Sequence, residues 1–217
     1  MKITLIGATG FVGTALLKEL TDRGHTVKAI SRHPEKIALK NDLVHGEHVD
    51  ILDTAALTIA LKGQDAVISA YNPGWTNPDI YNEFIRGANS IQQATREAGV
   101  KRLIVIGGAG SLFVAPGLQL IDTPQFPEEY KPGASAARDY LDTLRKEEVL
   151  EWTFISPAIE MHPGTSGTRK GEYRTALENP VFDENNRSII SVEDLAVATA
   201  DEVEQGRHIR QRFTAAY

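Results

Sequence analysis

The chain contains no cysteine among its 217 residues. This absence excludes a disulfide framework, a cysteine-ligated zinc site and thiol redox chemistry. The sequence also has no apolar run of membrane-spanning length, and its first residues follow the pattern of a strand and not that of a signal peptide. We therefore expect a cytoplasmic protein that does not bind membranes.

Positive charge is scarce as well. The chain has 23 Lys and Arg residues against 29 Asp and Glu residues, which gives a formal net charge of -6. Because proteins bind nucleic acids through basic surfaces, we expect no nucleic-acid partner. Any cation that holds a phosphate group must act locally.

Apolar, β-rich segments alternate with segments of helical periodicity over most of the chain. The strand-like segments lie at about 2–6, 26–30, 43–49, 65–70, 102–106 and 152–156, with a last strand near 212–216. This alternation predicts an α/β fold of the Rossmann type, a doubly wound and mostly parallel sheet with helices on both faces. We expect a single domain, residues 1–217, whose C-terminal part from about 157 to 217 supplies the substrate-side loops.

Capping residues indicate where helices begin. Asp53 can cap one helix, and Asn77-Pro78 places a capping side chain before a proline in the first turn of the next. Between residues 111 and 133, prolines and glycines interrupt the pattern, which predicts a long loop near the ligand. The predicted helices cover about 54–61, 77–98, 134–147 and 192–204.

The most informative motif opens the chain. The strand Lys2–Ile6 runs into Gly7, Gly10 and Gly13, and an amphipathic helix follows directly. Gly7 allows a tight turn, Gly10 lets the backbone approach a pyrophosphate, and Gly13 lets the helix pack on the sheet. Unpaired N–H groups at the start of the helix favour an anion, so the motif predicts a dinucleotide site. A glycine-rich turn without a ligand is the alternative. The predicted site comprises Gly7, Thr9, Gly10, Phe11, Val12 and Gly13.

The second strand ends in Ser31-Arg32, where an NAD enzyme usually carries an acidic residue for the ribose hydroxyls. A carboxylate would repel a 2′-phosphate, whereas a hydroxyl and a guanidinium can bind one. The pair therefore predicts a preference for NADP(H) over NAD(H). The alternative is that Arg32 is an ordinary solvated residue.

Six segments, in order along the chain, resemble one family. They are residues 7–13, 49–53, 98–102, 107–112, 152–158 and 190–196. The glycine spacing resembles that of the extended and atypical short-chain dehydrogenase/reductases. Together the segments are similar to the NAD(P)H-binding, NmrA-like group, most of all to proteins described as NADH-flavin reductases and more distantly to biliverdin-IXβ/flavin reductase.

The resemblance implies which strand ends contact the rings of the dinucleotide. In open α/β sheets, ligands bind at the carboxyl ends of the strands, where these residues lie. From the residues alone, Asp50 can equally be a turn-forming carboxylate. The implied contacts are Asp50 and Ile51 with the adenine, Ala70 and Tyr71 with the adenosine side, Gly107 and Gly108 with the nicotinamide ribose, and Pro157 with the nicotinamide.

The chain lacks the Tyr-x-x-x-Lys motif through which a typical short-chain dehydrogenase moves a proton during hydride transfer. Tyr130 is followed four residues later by Ala134, and Tyr140 by Leu144. By the resemblance, the lysine of the motif falls near Arg138 and the tyrosine near an alanine. We therefore do not expect alcohol or sugar oxidation by the usual mechanism.

Reduction of a conjugated ring needs less from the protein, because hydride can pass directly to the ring and the proton can come from water. By the resemblance, Ser111 matches the serine of the biliverdin/flavin reductases and would hydrogen-bond the nicotinamide carboxamide or the acceptor. A loop serine bonded to backbone is the alternative. Where those reductases have a histidine, this chain has Ala158 and Ile159, and His162 is displaced, which argues against biliverdin as the substrate.

Two further patterns have a functional and a structural interpretation. The segment His45-Gly46-Glu47-His48 contains possible metal ligands, but side chains on a strand or a turn need not converge, so we predict no metal site. Aromatic residues in 71–75 and 112–126 predict either an apolar lid over a planar acceptor or ordinary packing.

We therefore expect an NAD(P)H-dependent oxidoreductase that reduces a flavin such as FMN, a quinone or a similar small acceptor. A homodimer is a further expectation from the resemblance. The first alternative is a regulator like NmrA that binds the dinucleotide without turnover. The second is an epimerase or dehydratase, which would need a larger C-terminal domain and the missing tyrosine.

Overall fold

The computed structural model describes residues 1–217 and contains one sheet of eight strands and a separate two-stranded hairpin. The strands are β1 (Lys2–Ile6), β2 (Thr26–Ser31), β3 (Val44–His48), β4 (Ala66–Ser69), β5 (Arg102–Ile106), β6 (Phe113–Ala115), β7 (Leu118–Gln119), β8 (Glu151–Pro157), β9 (Arg174–Ala176) and β10 (Gln211–Ala216). The large sheet has the order β3-β2-β1-β4-β5-β8-β10-β9, and β9 alone pairs antiparallel to its neighbour. The predicted doubly wound, mostly parallel sheet is confirmed.

Five helices cover the two faces of this sheet. They are α1 (Phe11–Asp22), α2 (Thr54–Leu61), α3 (Ile80–Glu97), α4 (Lys131–Leu144) and α5 (Val192–Gln205). Helices α1 and α5 pack on one face, where Leu16, Leu17 and Leu20 of α1 are buried. Helices α2, α3 and α4 pack on the other face around Phe154. Both faces of the central strands are therefore covered, which is why β4 and β5 are buried along their whole length and are mostly apolar.

Two predicted helix boundaries are wrong. Helix α3 begins at Ile80, because the Asn77 side chain accepts the N–H of Asp79 at 2.9 Å in a turn before the helix. Helix α4 begins at Lys131, three residues before the predicted start, with Pro132 in its first turn. The Asp53 cap of α2 is confirmed, since its side chain accepts the Ala56 N–H at 2.9 Å.

The predicted loop between residues 111 and 133 is not structureless. It contains the β6–β7 hairpin and short 3₁₀ turns, and the Phe113 N–H donates to the backbone oxygen of Glu178. Strand β9 was not predicted, because three residues with no apolar alternation carry no strand signal. No helix combines the length and the apolar character that crossing a membrane requires.

Candidate functional site

The seven parallel strands of the sheet point the same way, so their carboxyl ends meet at one edge. The chain runs outward from β1 to β3 on one side and from β4 to β5 and β8 on the other. The strand order therefore reverses between β1 and β4, which is the position where open α/β sheets bind ligands. Most of the predicted site residues directly follow these strand ends.

The turn after β1 is closely packed against its neighbours. Gly7 has a φ of +84°, and a Cβ atom there would lie 2.6 Å from the carbonyl oxygen of Ala70 at the end of β4. A Cβ on Gly13 would lie 2.0 Å from the carbonyl oxygen of Gly7. Gly10 is exposed, and its Cβ would meet only that same oxygen, at 3.4 Å. Gly7 and Gly13 are thus required by the fold, whereas Gly10 keeps the outer surface of the turn open.

The N-terminus of α1 is free to bind an anion. The N–H groups of Phe11, Val12 and Gly13 donate no hydrogen bond within the protein, and Gly10 provides no side-chain cap. The first turn carries no acidic residue that would occupy this end of the helix. Three aligned donors, the positive end of the helix dipole and the open surface at Gly10 fit the pyrophosphate of a dinucleotide.

The end of β2 is joined to the glycine turn through two hydroxyl groups. The Thr9 and Ser31 hydroxyls lie 3.3 Å apart, and Ser31 also accepts the His33 N–H at 3.1 Å. Arg32 is exposed and forms neither an ion pair nor a hydrogen bond. The end of β2 therefore carries a hydroxyl and an unpaired guanidinium, and neither of these two positions holds a carboxylate.

The turn after β3 contains Asp50 and Ile51, the residues that the resemblance places at the adenine. One Asp50 carboxylate oxygen accepts the Leu52 N–H at 2.9 Å, so the turn-forming interpretation of Asp50 is seen, and the side chain stays exposed. The Ile51 backbone oxygen accepts the Ser90 hydroxyl of α3 at 2.5 Å. Ile51 therefore presents its backbone to α3, and it is held there by a buried serine.

Tyr71, after β4, packs on α3. Its ring atom Cε1 would lie 2.3 Å from a Cβ on Gly87, and its hydroxyl donates to the Glu83 backbone oxygen at 3.3 Å. Burial raises the pKa of the Tyr71 phenol, Glu83 raises it further, and the nearby Arg32 lowers it. A phenol with a raised pKa remains protonated at neutral pH, so Tyr71 is suited to form a wall and not to act as a base.

The loop after β5 lies beside β8. A Cβ on Gly107 would lie 1.9 Å from the Phe154 ring, so only glycine fits there. Gly108 is partly exposed, and its nearest neighbour would be the Ala137 Cβ at 3.9 Å. Pro157 is buried at the end of β8, opposite Ala215. Gly108 therefore leaves open the surface at which the resemblance expects the nicotinamide ribose.

Ser111 is buried, with 2% of its surface exposed. Its hydroxyl oxygen accepts a hydrogen bond of 3.1 Å from Nη1 of Arg212 on β10. The Arg212 side chain is 1% exposed and also forms an ion pair with Glu178. Sequence reasoning missed Arg212, because a single arginine inside a strand, 101 residues from its partner, gives no local signal.

Two aromatic side chains, one after β4 and one directly before α4, contact each other. Trp75 and Tyr130 contact each other edge to face at 5.3 Å, and the Trp75 ring packs against Gly133 of α4. Ala134 of α4 lies against Gly110, and one turn later Arg138 pairs with Asp139 at 3.2 Å. The face of α4 that adjoins the loop after β5 therefore carries no phenol and lysine pair.

The histidines of β3 do not converge. His45 and His48 point to opposite faces of the strand, and Glu47 pairs with Lys28 at 3.1 Å. No three His, Cys, Asp or Glu side chains are arranged so that they could hold a metal ion. His162 is exposed, and its Nδ1 accepts the Gly164 N–H at 3.1 Å, so it serves as a turn cap.

Comparisons with known proteins show which family the chain belongs to. The chain is 39% identical over 216 residues to the YwnB protein of Bacillus subtilis strain 168, which covers 99% of this chain and 97% of YwnB. The structure of a Bacteroides thetaiotaomicron protein provisionally described as an epimerase is 44% identical, with a TM-score of 0.92, and covers 100% of this chain and 96% of that one.

A Streptococcus pneumoniae structure provisionally described as an NADH-flavin reductase is 37% identical, with a TM-score of 0.83, and covers 100% of this chain and 99% of that one. The family model described as NAD(P)H-binding matches residues 7–205. This range includes the glycine turn and five of the seven parallel strands, all but β1 and β10. The chain therefore belongs to the NAD(P)H-binding family, and it is a Rossmann-type protein related to the short-chain dehydrogenase/reductases.

Proposed function

We propose that this protein is an NAD(P)H-dependent reductase that passes hydride directly to a flavin, a quinone or a similar conjugated acceptor. The observation that carries the proposal is the combination of an open anion site at the start of α1 with an α4 face that has Ala134 and Arg138 near the positions of the family's tyrosine and lysine. An acceptor that takes its proton from water needs no such pair.

The bound dinucleotide would supply the hydride, and the protein would supply binding and orientation. The acceptor gains the hydride and one proton from water, and the dinucleotide leaves in its oxidised form. The N–H groups of Phe11, Val12 and Gly13 would hold the pyrophosphate, while Gly108 and Pro157 would border the ring that reacts. Trp75 and Tyr130 would exclude water from a planar acceptor on the exposed side.

We further propose NADP(H) as the preferred dinucleotide. Arg32 is unpaired and exposed, so its guanidinium is available to a 2′-phosphate, and the Ser31 hydroxyl lies beside it. Each would form a charge-assisted hydrogen bond with the phosphate. NADH lacks this group and would leave Arg32 solvated.

Ser111 is the side chain that we propose for contact with the nicotinamide carboxamide. Arg212 donates to its oxygen, and no group in the protein accepts its hydrogen. A buried hydroxyl hydrogen without an acceptor favours a partner that arrives with the ligand. The C-terminal part from about 157 to 217 holds this arrangement together, since β10 carries Arg212 and the segment after β9 carries Glu178.

A dinucleotide-sensing regulator remains the competing proposal, because it needs the same binding site without turnover. An epimerase is less well supported, since Ala134 cannot exchange a proton with a sugar hydroxyl. We keep the homodimer and the cytoplasmic location as predictions, and sedimentation of the purified protein would test the first of these.

The test is to follow the absorbance of NADPH after the purified protein is added together with FMN, riboflavin or one of a panel of quinones. The same assay is then repeated with NADH. Gly10→Val, whose side chain would fill the open surface of the turn, is the matched variant. Turnover in the unaltered protein that is lost in Gly10→Val supports the reductase. Tight NADPH binding with no acceptor reduced would instead support the sensor.

A further inference from the structure

Arg212 is a buried cation at the second position of β10, and it contacts the loop that follows β5. Its Nη1 donates to the Ser111 hydroxyl at 3.1 Å, and its Nη2 pairs with Glu178. Continuing the β9–β10 register from Thr214 and Ala176 by two pairs brings Glu178 opposite Arg212. The guanidinium is thus held at one end by a carboxylate and presents its other end to a serine.

The chemistry of the guanidinium decides how Ser111 can bond. An arginine side chain donates hydrogen bonds and accepts none, so the Ser111 oxygen must be the acceptor in this pair. The serine hydrogen therefore points away from Arg212, and no acceptor for it lies within the protein. A serine hydroxyl can both donate and accept hydrogen bonds. Because Arg212 occupies the oxygen of Ser111 as acceptor, the hydroxyl can act towards a ligand only as a donor, in a direction away from Arg212.

The hydrogen bonds of Arg212 within the protein do not explain why it is buried, because one of its donors has no partner. Its Nε has no partner although it is shielded from solvent, and Glu178 already has a second ion pair with Arg145 at 3.1 Å. Burying a guanidinium with an unmatched donor costs stability. A cost of this kind at a candidate site is consistent with a role in orienting Ser111.

We propose that Arg212 is a positioning residue for the nicotinamide end of the dinucleotide. By donating to Ser111 it directs the serine hydrogen to the carboxamide oxygen of the nicotinamide, while Glu178 fixes the guanidinium. This inference rests on the proposed binding of NADPH but not on turnover. It assigns a function to Arg212, which contacts neither the dinucleotide nor the acceptor.

The experiment compares two ligands by titration calorimetry. NADPH carries the nicotinamide. 2′-Phospho-ADP-ribose lacks the nicotinamide but keeps the adenosine, the pyrophosphate and the 2′-phosphate. The variants are Ser111→Ala, Arg212→Met, the double variant, and Arg145→Met as the matched control, which removes an ion pair of Glu178 without touching Ser111. Thermal unfolding of each variant shows whether it is folded.

We expect Ser111→Ala and Arg212→Met each to weaken NADPH binding about tenfold, the effect of one lost hydrogen bond to a buried polar group. Binding of 2′-phospho-ADP-ribose should stay within about twofold. The double variant should bind NADPH no more weakly than the weaker single variant, because the two residues act as one unit. Arg145→Met should bind both ligands like the unaltered protein.

Three results would overturn the proposal: losses that multiply in the double variant, equal weakening of both ligands, or NADPH binding unchanged in Arg212→Met. If Arg212→Met does not fold, Arg212→Lys replaces it, since a single ammonium keeps the charge but cannot span Ser111 and Glu178. It should weaken NADPH binding in the unaltered background and have no effect in Ser111→Ala. If the protein binds NADPH but reduces no acceptor, the proposed reductase activity is refuted. The binding comparison between the single and double variants still tests the role of Arg212.

Discussion

A Cβ atom on Gly13 would lie 2.0 Å from the carbonyl oxygen of Gly7, which is closer than any two such atoms can approach. Helix α1 therefore rests directly on the backbone of the turn before it. Gly10, in the same turn, has a φ of -79° and open space around it. The motif thus contains two glycines that the fold requires and one, Gly10, that the packing of the turn does not require.

This difference predicts opposite behaviour for two alanine variants. Gly13→Ala should lower the free energy of unfolding by about 3 kcal/mol, because the backbone of α1 must move away from Gly7. Gly10→Ala should keep its stability, since alanine adopts that φ without strain, but should weaken NADPH binding about tenfold or more by occupying the phosphate site. Urea unfolding and calorimetric titration measure the two effects. Equal stability of both variants would contradict this account of the turn.

Arg32 should determine the choice of dinucleotide. Arg32→Ala is expected to lower kcat/KM for NADPH about 30-fold, the effect of losing one charge-assisted hydrogen bond, and to leave the value for NADH unchanged. Lys36→Ala, which removes an exposed cation from the following 3₁₀ turn, serves as the control for general charge effects. The preference for NADP(H) would be refuted by an equal loss with both dinucleotides.

Tyr140 carries a buried hydroxyl that has no hydrogen-bond partner, and its side chain is 1% exposed. Burial raises the pKa of this phenol, so the group stays neutral at neutral pH. Tyr140→Phe should therefore raise the free energy of unfolding by about 1 kcal/mol and Tm by about 3 °C. Tyr173→Phe is the matched control and should lower both, because the Tyr173 hydroxyl donates to Asp201 at 2.6 Å.

Glu19 should contribute to stability in a pH-dependent way. Hydrogen bonds from Arg169 foremost, and from Arg23, hold the pKa of the Glu19 carboxyl below its ordinary value of 4.5. A lowered pKa stabilises the fold above the ordinary pKa, and the contribution disappears as pH falls through the lowered value. Glu19→Gln should therefore be less stable by about 2 kcal/mol at pH 7, and the difference should shrink below about pH 4.5.

Urea unfolding at a series of pH values between 7 and about 3 tests this prediction. Glu148→Gln is the control, because Glu148 is exposed and its side chain has no ion pair. A stability difference between Glu19→Gln and the unaltered protein that stays constant with pH would show that the loss comes from packing and not from the charge.

Much of the fold could be predicted because the signals are local. The period of the apolar residues identified every parallel strand, and Asp53 marked the start of α2 correctly. The boundary of α3 was wrong because Asn77 can close its own turn as readily as it can cap a helix. Strand β9 had no local signal at all, since its pairing with β10 and not its composition makes it a strand.

The sequence by itself determined the Rossmann architecture and the dinucleotide turn. Both depend on residues within about ten positions of one another, where chain geometry fixes the outcome. Only the tertiary structure decided that Arg212 reaches Ser111, that Asp50 closes a turn, and that Trp75 lies on α4. Such contacts join distant segments, and no period or spacing encodes them, because they arise only once the sheet and its helices have packed.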